Sequence, residues 1–131
     1  MFLLGPKKQP LPLAYRWAVA NGLVSFTPWH LETGERSVED VSKEFSIESG
    51  VECWVFAYRQ DMDDAAAFVM EDGVIQEEVV STHLAWYRKR EWDPDRFVNF
   101  WDWITRQVIP DMTEWEIEEG DIEDALKRRA V

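Results

Sequence analysis

Two apolar runs, Ala65–Met70 and Val74–Val80, are separated only by Glu71-Asp72-Gly73, and this triplet limits the possible folds more than any other part of the chain. Asp-Gly supplies two residues that tolerate the positive φ of a tight hairpin turn, so the flanking runs are read as paired antiparallel strands. The second run carries Gln76, Glu77 and Glu78. Charge on a strand places it near a sheet edge, where it discourages further pairing.

Upstream, Glu52–Arg59 alternates Trp54, Phe56 and Tyr58 with Cys53, Val55 and Ala57. Both faces are apolar, which predicts an interior strand covered on two sides. The cover has to come from helices. Pro12 suits a first helical position, Leu13, Trp17 and Ala20 share a face, and Gly22 stops that helix. Leu23–Trp29 reads as an irregular segment closing over the core. Ser37-Val38-Glu39-Asp40 is a capping sequence, with Val38, Val41 and Phe45 at helical spacing behind it.

The strongest helix signal runs from Asp93. Asp93 can cap it, Pro94 fits its first position and Asp95 suits the positive end of the dipole. Phe97, Phe100, Trp101, Ile104 and Val108 form one stripe, and Pro110 ends the helix. Trp103 falls about 100° or more from that stripe, at the flank or in solvent. Residues 1–11 read as an extended arm, and 111–131 as an acidic tail that Trp115, Ile117 and Ile122 could hold to the body. Residues 81–92 mix charge and aromatics without a dominant period. The expected architecture is α+β, one domain over 1–131: an antiparallel β-meander sheet with N-terminal and C-terminal helices packed on it.

Charge narrows the function classes. The chain has 26 acidic against 14 basic residues, a net charge of −12. Such a surface repels nucleic acid and anionic membranes and attracts basic proteins. Residues 61–80 and 111–124 are carboxylate-rich and hold no Lys or Arg, whereas Arg88-Lys89-Arg90 and Lys127-Arg128-Arg129 are basic. The single cysteine, Cys53, sits in an apolar strand run, so a packed thiol is expected and no internal disulfide can form. The N-terminus lacks the charged region and apolar length of a signal peptide, and no run approaches a membrane span, so a cytoplasmic location is expected.

Several segments, in order, carry a family resemblance: Tyr15-Arg16-Trp17-Ala18-Val19-Ala20-Asn21-Gly22-Leu23-Val24, Phe26-Thr27-Pro28-Trp29-His30, Phe56-Ala57-Tyr58-Arg59-Gln60-Asp61, Asp63-Asp64-Ala65-Ala66-Ala67-Phe68 and Phe100-Trp101-Asp102-Trp103-Ile104. Across roughly residues 13–115 the chain resembles the SUKH superfamily. These are small α+β proteins related to a fungal cell-wall-synthesis regulator and abundant as bacterial immunity proteins. Arg36–Gly50 and the charge-rich 81–92 depart from that pattern. The resemblance implies a non-catalytic binding role without cofactor, neutralising a toxin by docking on it. The alternative is a regulatory or scaffolding module that binds an endogenous protein. A monomer or weak homodimer is expected.

The residues themselves offer little chemistry. Asp61-Met62-Asp63-Asp64 fails as a calcium loop, since Ala66 stands where Gly is needed and Asp72 where a bidentate Glu is needed. Adjacent Asp residues leaving a strand cap turns or pair with a base such as Arg59. Asp61, Asp63 and Asp64 are therefore candidates for a partner-facing acidic rim, with no metal expected. His30 and His83 have no nucleophile signature beside them. Trp86, Tyr87 and Trp92 surround the basic triplet. That combination could stack bases, but the net charge argues against nucleic acid, and these residue types are enriched at protein hot spots. They complete the candidate partner-binding set.

Overall fold

The computed structural model describes residues 3–32, 38–83 and 94–129. Among these residues six strands form one antiparallel sheet in sequential order: β1 (Ser25–Phe26), β2 (Trp29–Leu31), β3 (Cys53–Arg59), β4 (Asp64–Glu71), β5 (Val74–His83) and β6 (Asp95–Phe97). The hairpin forms where Asp-Gly predicts it. Asp72 and Gly73 take φ of 50° and 80°, and Glu71 pairs with Val74. Among the described residues β5 pairs with β6 only over Val79–Ser81, which leaves Val74–Glu78 without a strand partner on that side. The side chain of Gln9 occupies part of that edge, donating to the Gly73 carbonyl at 2.6 Å and accepting the Ile75 N–H at 2.9 Å. Residues 3–11 are therefore not an extended arm. Leu4 bridges to Pro10 around a one-turn 3-10 helix at Pro6–Lys8, and Leu11 is buried.

β3 lies inside the sheet and is covered on both faces. Its strict alternation breaks at one point, where the pairing steps from Val55↔Ala67 to Ala57↔Ala66. The extra residue is a bulge. Phe56 and Ala57 therefore join the same core cluster, while Tyr58 crosses to the cluster of Cys53 and Val55. On that second face lies α2 (Val38–Ser49), which contributes Phe45 and, partly buried, Val41. β2 reaches β3 only opposite Ala57–Arg59. Farther back along β3, serines of α2 take over the role of a neighbouring strand: Ser42 Oγ accepts the Val55 N–H at 2.8 Å, and Ser46 Oγ accepts the Cys53 N–H at 3.1 Å.

The main core lies on the first face, under α1 (Leu13–Ala20) and a helical run from Phe100 to Glu114. α1 ends at Asn21, with Gly22 following at φ 74°. Its buried residues are Tyr15 and Ala18, whereas Leu13, Trp17 and Ala20, the face read as core, point outward. Leu23–Trp29 contains the β1–β2 hairpin with a cis Thr27–Pro28 bond, in place of an irregular closing segment.

The C-terminal helix starts later than its sequence signal suggests. Asp95–Phe97 forms β6, and Asn99 is the N-cap, its side chain accepting the Asp102 N–H at 2.9 Å. Asp93 lies outside the described residues. The run comprises α3 (Phe100–Trp103), one π-helical stretch over Ile104–Val108 and α4 (Ile109–Glu114). The Ile109 N–H reaches back five residues to the Ile104 carbonyl. This wider turn carries the chain through Pro110, which does not end the helix. Phe100, Trp103, Ile104 and Val108 are buried, while Trp101 is 44% exposed. The two tryptophans thus exchange the places periodicity assigns them. A final helix, α5 (Glu119–Arg129), buries no residue, and Ile117 and Ile122 are exposed and do not anchor the tail. Among the described residues, no helix is long and apolar enough to cross a membrane.

Candidate functional site

Two surfaces compete as the functional site. The first is the acidic rim at the β3–β4 turn. Arg59, the last residue of β3, holds Asp61 through two hydrogen bonds, Nε to Oδ1 at 2.6 Å and a terminal nitrogen to Oδ2 at 3.2 Å. Its other terminal nitrogen lies 3.0 Å from Asp111 Oδ2 on α4, which also accepts the Trp29 indole N–H at 2.8 Å. The Arg59 hydrogen bonds hold the Asp61 carboxyl below its usual range. Asp64 opens β4 and faces His83 across the β4–β5 pair, 2.7 Å from its Nδ1. Asp63 is exposed at the turn.

The three aspartates are neighbours, as their spacing requires, but they are not equivalent. Asp61 helps tie the β3 end to α4 through Arg59, Asp64 is paired with an imidazole, and Asp63, exposed like Asp61, has neither kind of tie among the described residues. Trp86, Tyr87 and Trp92, the other half of the predicted partner site, lie outside the described residues, as does the basic triplet between them.

The described residues contain no group of three or more His, Cys, Asp or Glu side chains placed to hold a metal ion. The nearest approach to a catalytic array is a line across the β1–β2 hairpin. Ser25 Oγ lies 3.2 Å from His30 Nδ1, and His30 Nε2 bonds the Gln60 side-chain oxygen. This has the connectivity of hydroxyl, base and orienting acceptor. Nucleophilic catalysis also needs a water-excluded site with donors aimed at a developing oxyanion. Here Ser25 and Gln60 are exposed, and Ser25 and His30 are simply cross-strand partners. The line clasps β1, β2 and the end of β3 together. Burial pushes the Cys53 thiol up to about 12, which keeps it neutral and inert. Burial likewise raises the Tyr15 phenol, with the Glu32 charge adding to the effect, and its hydroxyl donates to the Glu32 carbonyl.

The second surface is aromatic. Leu13 and Trp17, one turn apart on α1, are 70% and 51% exposed, and Trp17 meets Trp101 of α3 edge to face with ring centroids 6.0 Å apart. Trp101 also touches buried Phe100, at 5.1 Å, so the outer pair rests on the core beneath it. Large side chains held in place by their neighbours lose little freedom when a partner covers them, which suits them to anchor an interface. Periodicity gave no sign of this surface, because the same residues fit a buried stripe equally well. The usable signal was surplus: α1 and α3 carry more bulky apolar groups than one face of each can bury.

Compared with protein-family models, with curated proteins and with solved structures, the chain matches none.

Proposed function

We propose that this chain is a non-catalytic protein-binding domain, an immunity protein that neutralises a basic toxin domain by docking on it in the cytoplasm of the producing cell. The observation that carries the reading is the exposed Trp17–Trp101 pair on an otherwise acidic protein. The aromatic pair supplies the anchor, and the net charge of −12 supplies attraction and selectivity for a positive partner. A nuclease fits as the toxin, because its substrate-binding surface must be positive. The SUKH-like order of motifs supports the same class of function.

The test is rescue. A neighbouring gene should encode a large protein with a variable C-terminal toxin domain, and co-expression with this chain should restore growth and yield a complex. The Trp17→Ala/Trp101→Ala variant should fold and lose the rescue. Absence of rescue for every neighbouring toxin domain, together with recovery of a stable complex with a housekeeping protein, would replace this reading by the regulatory-module alternative.

A further inference from the structure

α5 carries an apolar stripe that nothing in the described structure covers. Ile122, Ala125 and Leu126 recur at helical spacing, and Ile122 and Leu126 are 51% and 61% exposed. A helix of 11 residues is marginal in water by itself and gains its stability by covering an apolar face. Its charges are graded along the axis. Glu119 and Asp121 occupy the first turn, and Lys127, Arg128 and Arg129 the last. That gradient favours the helix dipole, and it also makes the helix complementary to a copy of itself running the opposite way.

We propose that α5 is a self-association helix that pairs antiparallel with α5 of a second copy of this chain. With a twofold axis near Asp124, Ile122 of one copy comes level with Leu126 of the other. Glu119 then lies level with Arg129, and Asp121 beside Lys127 and Arg128. The same patch serves both subunits, as twofold symmetry requires. Parallel pairing would bring like-charged ends together, and a uniformly basic occupant would oppose the last turn. The helix is only about 16 Å long at ~1.5 Å per residue, so the interface falls below the roughly 1,200 Å² of a standard stable complex. The dimer is therefore weak and concentration-dependent.

Sedimentation velocity on the full chain, from about 10 µM to about 1 mM at low salt, should show monomer passing into dimer, as a small interface predicts. Ile122→Glu/Leu126→Glu should weaken dimerisation by at least about tenfold with an unchanged melting temperature, because α5 buries nothing in the core. A charge exchange tests the geometry. Glu119→Lys/Asp121→Lys and Lys127→Glu/Arg128→Glu/Arg129→Glu should each be monomeric alone and should form a heterodimer when mixed. Both variants remain net negative, so overall charge attraction would not account for that heterodimer. A wild-type chain that stays monomeric throughout, a dimer unaffected by the apolar double variant, or a mixture that fails to associate would each overturn the proposal.

Discussion

Trp17 of α1 and Trp101 of α3 meet edge to face at the surface, their ring centroids 6.0 Å apart and their side chains about half exposed. The contact joins the two helices that cover the main core, and Trp101 leans on Phe100 below it. An aromatic pair of this kind contributes roughly 0.5–1.5 kcal/mol beyond the area it buries. Much of the two indoles still faces water, so a partner that covered them would gain the hydrophobic term without having to order them.

Trp17→Ala/Trp101→Ala should accordingly separate binding from folding. The double variant should lose at least about 2 kcal/mol of affinity for a protein partner, as hot-spot residues do. Its loss of folding stability should be about 1–2 kcal/mol, within the general range for destabilising substitutions and below that for a buried aromatic. Isothermal calorimetry and urea denaturation on the same preparations measure the two quantities.

Trp103→Ala should behave in the opposite way. Trp103 is fully buried, and its ring lies 5.3 Å from Trp29 and 5.1 Å from Phe56. Removing it should cost about 3–5 kcal/mol, a large share of the ~5–15 kcal/mol available to a domain. Equal melting temperatures for Trp103→Ala and Trp101→Ala would contradict the helix orientation described above.

Ser42→Ala probes the junction between α2 and β3. The substitution leaves the buried Val55 N–H without its acceptor and should cost about 1–3 kcal/mol. Amide exchange at Val55 should accelerate more than at residues of β4, because the lost bond is local.

Acid sensitivity should depend in part on Asp102. Hydrogen bonds from Arg106, followed by the Val98 N–H, hold its carboxyl down at about 2. An unfolded Asp titrates near ~4. The contribution to stability is therefore complete above pH ~4 and is lost as pH falls towards ~2. Asp102→Asn has no such titration, so its melting temperature should fall less steeply than the wild type's across that window.

Asp61→Asn/Asp63→Asn/Asp64→Asn should slow association with a basic partner and flatten its salt dependence, since rim charges act mainly on encounter. The variant should also loosen the β3 end, because Asp61 and Asp64 hold Arg59 and His83. Stopped-flow association at two ionic strengths, with circular dichroism as the folding control, separates these effects. An unchanged on-rate and salt slope in a folded variant would leave the three aspartates a purely structural role.

The local grammar of the chain was legible where one residue type alone satisfies a backbone demand or where a pattern has only one solution. Asp72-Gly73 could hardly be anything but a hairpin turn, because few pairs accept positive φ at both positions. Gly22 marked the end of α1, and the doubly apolar Cys53–Arg59 run could exist only inside a covered sheet. These features suffice to specify an antiparallel α+β fold without any long-range contact.

The tertiary structure decided which side of each helix was inside. Phe97 fits the spacing of the C-terminal helix but belongs to β6, and its inclusion turns the apparent core stripe towards Trp101 and away from Trp103. In α1, Leu13 and Trp17 make as good an apolar stripe as Tyr15 and Ala18, so periodicity could not choose between them. The helix cap at Asn99, the passage through Pro110 by a π turn and the bulge at Phe56 depend on how neighbouring elements meet. For the same reason the three aspartates could be read as adjacent but not as individually engaged by Arg59 and His83. Sequence order determines which residues lie side by side along one element. A face becomes buried only when another element covers it, and that covering is a property of the assembled fold.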